Sequence, residues 1–352
     1  MAPVAPWPGR ALTTLMLLPW LAAAVAGEVI SRSHVLHHEL GPGEEFEGIR
    51  LRGAVELEAV DLDGVGVAGL SALAWDADED LLYALSDRGR IFHLRPHMAD
   101  GMLKAVEGLR GFHLRNANGR YIPRRHADSE GMVALNADNG VRGDTRLVIG
   151  FEQTPRLMVF RPDGHWAASY ALPTPLRLVD NYNHPNRALE AVAFVAGVGP
   201  LTGPERPFWN EAGEGLRLYD LEGNHWRYPL SPDTDASLVA MEYLPERDLL
   251  TLERSFVSPF HPLRIRLRRA ELPDHADGTT LAVEEVALLD SHRGWNIDNF
   301  EGLAHHRDNR WFMVSDDNER GLQKTLLVYF ELLARPDQVP HVAADNPPQE
   351  RR

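Results

Sequence analysis

Three glutamates stand in similar settings, each followed by a small residue and then an apolar run: Glu130-Gly131-Met132-Val133, Glu190-Ala191-Val192-Ala193 and Glu301-Gly302-Leu303-Ala304. Carboxylates brought together need a cation, a shared proton or water to relieve their repulsion. Oxygen ligands of this kind suit calcium or magnesium. The same pattern also fits acids that cap backbone turns or pair with arginines. A second polar set closes the next apolar run of several copies: Asp87-Arg88, Glu152-Gln153, Glu253-Arg254 and Asp316-Asp317-Asn318. An arginine beside a carboxylate fits forked recognition of a phosphate or carboxylate, and fits a structural salt bridge equally well. This makes Arg88 and Arg254 candidate anion contacts. The segment Asn181-Tyr182-Asn183-His184-Pro185-Asn186-Arg187 places further donors, Arg187 among them, just before Glu190.

The elements that would position these groups repeat. Five divergent copies of one unit begin about 50 to 60 residues apart, which is propeller-blade spacing. They open at Ser71, Glu130, Glu190, Val239 and Glu301. Each has a short apolar run, and in four of them a turn and a second apolar run ending in polar residues can be read. Third strands are expected at residues 91–94, 157–160, 216–219, 263–267 and 326–330. Fourth strands are expected at 112–114, 166–172, 226–230 and 281–289. The fifth copy has no fourth strand after Phe330. The alternating segments Ile49-Arg50-Leu51-Arg52 and Val55-Glu56-Leu57-Glu58 are expected to supply it and close the ring, which leaves no unpaired sheet edge there. The fold expected is an all-β, five-bladed β-propeller, with a sixth blade from unrecognised segments as the alternative. The first strand of a blade lies nearest the axis, so Glu130, Glu190 and Glu301 would meet at one mouth of the central channel. Residues 116–125, 173–186, 196–214 and 255–262 are expected to be long loops.

Several familiar chemistries are missing. There is no Gly-x-Ser-x-Gly, no His-Glu-x-x-His and no P-loop. His37-His38 and His305-His306 are neighbours, and on a strand neighbours face opposite ways. Asp76-Ala77-Asp78-Glu79-Asp80 opens like a calcium loop, but Leu81 stands where the turn glycine belongs, so a surface hairpin tip is expected.

Composition bounds the rest. Arg10, the apolar stretch from Ala11 to Ala24 and the small residues of Ala24-Val25-Ala26 read as a secretory signal cleaved before Gly27. The expected organisation is a signal peptide at 1–26, an extended lead-in at 27–48, the propeller at 49–335 and a disordered tail at 336–352. A secreted or periplasmic location follows, without membrane attachment once the signal is removed. Cysteine is absent, which excludes disulfides, thiolate metal sites and a lipidated cysteine. Net charge is −15, and Lys104 and Lys324 are the only lysines. That balance argues against nucleic-acid binding, which rests on basic surfaces.

Taken in order, Gly69-Leu70-Ser71-Ala72-Leu73, Asp128-Ser129-Glu130-Gly131, Ala188-Leu189-Glu190-Ala191-Val192-Ala193, Leu250-Thr251-Leu252-Glu253-Arg254-Ser255-Phe256, and Asn299-Phe300-Glu301-Gly302-Leu303-Ala304 with Val314-Ser315-Asp316-Asp317-Asn318 resemble the phytase-like family described as having esterase-like activity of phytase. The likeness covers roughly residues 65 to 332. It implies a β-propeller of the kind found in exported bacterial proteins and, more loosely, a hydrolase. By analogy with calcium-dependent propeller phytases, it implies a divalent cation, calcium first, that activates water. On that reading Glu130, Glu190 and Glu301 are metal ligands or the general base, Asp316 assists, and Arg88, Arg187 and Arg254 contact a small phosphoester or carboxylic ester. The scarcity of lysine does not suit phytate. The alternative is a non-enzymatic propeller that displays a ligand- or protein-binding surface.

Overall fold

In the computed structural model, which describes residues 27–334 apart from 185, 212, 214, 245, 246, 277 and 320–322, each copy folds into an antiparallel sheet. Blade I runs outward from Leu70–Asp76 through Leu81–Ser86 and Arg90–Ala99 to Met102–His113. Blade II comprises Ser129–Leu135, Arg146–Phe151, Arg156–Phe160 and Trp166–Tyr170, and blade III Leu189–Val195, Gly199–Pro204, Leu216–Tyr219 and His225–Tyr228. Blade IV comprises Ala236–Tyr243, Asp248–Ser255, Arg264–Glu271 and Val283–Asp290, and blade V Asn299–Arg307, Arg310–Asp316 and Leu326–Leu332. Inner and second strands are largely buried on both faces and, Gly199–Pro204 apart, contain the short apolar runs read in the sequence. The outermost strand of blade II is exposed along most of its length.

The ring closes as the alternation at residues 49–58 suggested. Ile49–Leu57 pairs antiparallel with Leu326–Leu332, setting Val55 opposite Leu327 and Leu51 opposite Phe330. Ser31–Ser33 then covers the edge of Ile49–Leu57, and Glu28–Val29 covers that of Met102–His113. Apolar side chains fill all five gaps between blades. Leu85, Ile91 and Tyr83 of blade I meet Met132, Ile149 and Phe160 of blade II. Leu82 and Phe92 meet Phe312 and Tyr329 across the closing gap to blade V. No sixth blade is present among the described residues, and no helix there is long and apolar enough to cross a membrane.

Two expectations need correction. The last strand of blade I begins at Met102, ten residues before the expected start. Register shifts near Leu103/Ala105 and Gly108/Arg110 break its alternation, so the strand was not legible as one. The expected loop at 196–214 contains the second strand of blade III, Gly199–Pro204, whose two glycines and two prolines hid it. The signal peptide expected at 1–26 and the tail expected at 336–352 lie outside the described residues.

Candidate functional site

One irregularity recurs in every inner strand. Near its start an extra residue interrupts the pairing with the second strand: Ser71 in blade I, Glu130 in II, Glu190 with Ala191 in III, Val239 in IV and Glu301 in V. Such a β-bulge leaves one residue unpaired and re-aims its side chain. Here three of the five bulges deliver a carboxylate to one mouth of the channel. The residue following the last ladder partner before the bulge forms a second ring: Asp87, Glu152, Glu205, Arg254 and Asp316. Two rings of corresponding positions therefore hold seven carboxylates and one guanidinium.

Glycine follows the bulge where the blades crowd. A Cβ on Gly131 would collide with the Glu190 carbonyl oxygen and lie 2.7 Å from Val192 Cγ2, and one on Gly302 would lie 3.0 Å from the backbone of Ala72. Backbone cannot give way as a flexible side chain can. Gly131→Ala is expected to cost about 1–3 kcal/mol, read as a lower thermal midpoint. An unchanged midpoint would mean that the inner strands are not held this close.

The rings divide into two halves. On the blade II side, carboxylate oxygens of Asp128, Glu130 and Glu152 all lie within 4.8 Å of one another. Ala188 N–H donates to Glu152 Oε1 at 2.8 Å, and Gln153 Nε2 donates to Asp128 Oδ2 at 2.8 Å, so two of the three acids are fixed in orientation. On the blade IV–V side, Arg254 pairs with Glu301, donates to Asn299 Oδ1 at 2.9 Å and reaches Glu205 at 3.2 Å. Asn299 Nδ2 donates to Glu301 Oε1 at 2.8 Å. Glu190 lies between the halves. It lines a cavity of about 270 Å³ together with Arg187, Glu205, Arg206, Arg254 and Phe256.

Electrostatics follow from this crowding. Glu130 keeps a sliver of exposure to the channel but is enclosed by protein. Burial first, then the charges of Glu152, Glu301, Asp128 and Glu190, push its carboxyl well above the usual range. Glu152 is raised by burial and by Asp128 and Glu205. Glu190 is raised by burial, Glu205 and Glu152, with Arg254 opposing. Asp316 is pushed up to about 8 and Asp87 to about 6, burial being the first cause in both. Burial alone would lower Arg254, but Glu301, Glu190, Glu205 and Asp316 outweigh it and hold the guanidinium charged. The mouth thus holds more carboxyl groups than its own cations balance, and they repel one another as they ionise.

Of the acids singled out in sequence, Glu130, Glu190, Glu301 and Asp316 converge here. Only Glu130 belongs to the tight group of three. Glu301 is committed to Arg254 and Asn299, and Asp316 accepts from Asn318 N at 2.7 Å. Arg187 and Arg254 line the cavity. Arg88 does not, since it pairs with Glu319 at 2.8 Å and lies 3.7 Å from Asp87. Sequence reasoning missed Asp128, which precedes Glu130 by two residues, and Glu205, concealed behind the Gly/Pro strand.

A family model described as "Phytase-like: Esterase-like activity of phytase" matches residues 65–319, more than half of the chain. The chain belongs to the phytase-like family. No curated protein matches it in sequence. Among solved structures it is similar to the PQQ-bound form of aldose sugar dehydrogenase from Streptomyces coelicolor, at 12% identity and a TM-score of 0.37, covering 87% of this chain and 99% of that one. It is also similar to the structure of U3-55K, at 11% identity and a TM-score of 0.34, covering 76% and 77%. In this phytase-like chain, Asp128, Glu130 and Glu152 form an acidic site able to hold a metal ion. Three oxygens at this separation with unbalanced charge fit a hard divalent cation.

Proposed function

We propose that this phytase-like propeller is a cation-assisted hydrolase of phosphate or carboxylic esters, acting at the acidic mouth. The observation that carries the reading is the group formed by Asp128, Glu130 and Glu152, set within a wider ring of acids raised by burial and by one another. A divalent cation held there, calcium first, would polarise an ester oxygen and make water a better nucleophile at neutral pH. The chain's own residues do the remaining work. Gln153 and the Ala188 amide hold two of the ligand carboxylates in orientation. Glu190 faces the adjoining cavity with a carboxyl held well above its ordinary range, in reach of a proton exchange with the substrate. Arg187, Arg206 and Arg254 offer positive charge to the substrate's anionic oxygens, and Phe256 gives the same cavity an apolar wall for its organic part. With one apolar wall and almost no lysine in the chain, an ester of low charge fits better than a polyphosphate. The acidic surface gives nucleic acid no foothold.

The test is hydrolysis of generic phosphate and acyl esters by the purified protein, with calcium and with chelator. Turnover that needs the cation supports the reading, and none in either condition removes it. The rival, a propeller that binds without catalysis, draws on the Arg254 cluster, where Glu301 and Glu205 are already paired. It expects ligand binding without turnover.

We further propose that the protein is exported and that residues 1–26 are removed. N-terminal sequencing of the mature protein should begin at Gly27. A chain kept at full length inside the cell would contradict this.

A further inference from the structure

The inner strands run from the acidic mouth to a second opening, and its chemistry differs. Their far ends and the turns that follow line a cavity of about 640 Å³, with Trp75 from blade I, Glu242 from blade IV, and His305 and His306 from blade V in its wall. Small residues such as Ala74 and Ala134 leave the room. The volume falls within the range of small-molecule sites.

The basic groups here are already engaged. Arg307 Nε donates to His306 Nε2 at 2.9 Å, while His306 Nδ1 meets Tyr329 Oη at 2.7 Å. Burial first, then Arg307, pushes His306 down to about 3, so the ring is neutral. Arg307 Nη2 also lies 3.9 Å from Asp80. His305 Nε2 is 2.7 Å from the Asp308 carbonyl oxygen. Glu242 is different. Among the described residues no arginine, lysine or histidine side chain pairs with it, and only the backbone N–H groups of His305 and Tyr243 offset its burial. The rim adds Asp80, Asp138 and Asp308 against Arg307 alone. Trp75 stands edge-on to His306, ring centroids 4.4 Å apart.

We propose that this second mouth binds a small organic cation, an amine or quaternary ammonium, with Glu242 as counter-charge and Trp75 as aromatic wall. A carboxylate and an indole are the two groups that hold a diffuse cation. An anion would meet net negative charge. A divalent metal would need several oxygens at one point, and the three-acid group found among the described residues is at the other mouth. The proposal does not rest on ester hydrolysis.

The ionisation of Glu242 supplies a further readout. Burial raises its carboxyl to about 8. A quaternary ammonium stays charged at every pH, so its binding should tighten as pH rises from about 6.5 to about 9. The other charged or titratable groups facing the cavity are Asp80, Asp138, His305, His306, Arg307 and Asp308. Glu242→Gln isolates its own contribution from theirs.

The experiment is calorimetric titration of the full chain with choline at both pH values. Wild type should bind more tightly at the higher pH. Glu242→Gln should weaken binding at least ~10-fold there and abolish the pH dependence, and Trp75→Leu should weaken it by a similar factor. Glu130→Gln, at the other mouth, should bind like wild type. Glu242→Gln removes a buried charge and keeps the side chain's shape, so a thermal melt should show it folded even if Trp75→Leu is not. Absence of choline binding to wild type, or equal binding by Glu242→Gln, would overturn the site.

Discussion

Glu130→Gln and Glu152→Gln proteins are expected to lose calcium binding by at least ~100-fold and hydrolysis by about 10²–10⁴-fold, yet to melt higher than wild type in chelator at pH 8. The two effects have one cause. In the fold both carboxyls are pushed up by burial and by neighbouring acids. A carboxyl whose folded pKa exceeds its unfolded value leaves stability untouched below the unfolded value. It subtracts from stability progressively as pH rises toward the folded value. Asp316, held at about 8, and Asp87, held at about 6, place much of that loss between about pH 4 and 8. Glutamine removes one repelling charge, so the gain over wild type should be absent near pH 4 and largest at pH 8. A bound cation offsets the same repulsion, so calcium should raise the wild-type midpoint most at pH 8 and the variants' midpoints little. Calorimetry, turnover and thermal melts at two pH values check the set. Variants that bind calcium and turn over like wild type would show that Asp128, Glu130 and Glu152 are not the cation site. Variants less stable than wild type in chelator would show that their charges are already balanced within the fold.

The sequence displayed the frame of this site more clearly than its partners. Short apolar runs marked the inner and second strands, Gly199–Pro204 apart, because blades largely bury both faces of these. The alternating segment at residues 49–58 disclosed the closing strand because its outer face meets solvent. The acids Glu130, Glu190 and Glu301 stood out because each occupies the same bulge and, in two cases, precedes a glycine that the adjacent blade's backbone requires. Three features stayed hidden for physical reasons. Gly199–Pro204 has no aromatic residue and only one β-branched residue, Thr202, and a single ladder pair, Thr202 with Tyr219, ties it to the next strand, so Glu205 at its end was passed over. Asp128 precedes the strand and carries no periodic signal. In blade IV, Glu253 and Arg254 both close the second strand, and ladder register separates them. Glu253 pairs with Leu238, before the bulge, and turns outward to Tyr228, the Ser231 amide and Arg268, which leaves Arg254 at the ring. A one-residue difference in register separates a scaffold acid from the cation at the channel mouth.

Arg254 is therefore the group whose loss should cost the fold most. Its sector differs from the others: the bulge residue is the apolar Val239, and the ring position carries a guanidinium. That single cation answers Glu301, Asn299 and Glu205 together. Arg254→Met keeps much of the side-chain bulk but strands Glu301 in a buried, acid-rich site and leaves Glu205 only the more distant Arg187 and Arg206, at 3.8 and 4.0 Å. Breaking such a pair costs about 3–5 kcal/mol, or a midpoint lower by roughly 5–8 °C for a chain of this size. The loss should be greatest at pH 8 and shrink toward pH 5, because Glu301, raised by burial and held down by Arg254, then binds a proton more readily and its neutral form needs no partner. Arg254→Lys should recover only part, since an ammonium cannot span three acceptors as the planar fork does. Arg254→Met/Glu301→Gln should regain more, since it removes the stranded charge along with its partner. The asymmetry also gives the mouth a direction, with cation-holding acids on the blade II side, a fixed guanidinium on the blade IV side and Glu190 between. If Arg254 serves only as scaffold, the double variant should hydrolyse esters as well as wild type once its stability is regained. If it also grips the substrate, KM should stay high in the double variant while the midpoint recovers. A single variant with an unchanged melting point at pH 8 would show that Glu301 and Glu205 do not depend on Arg254, and the division of the mouth into a paired half and an unbalanced half would fall with it.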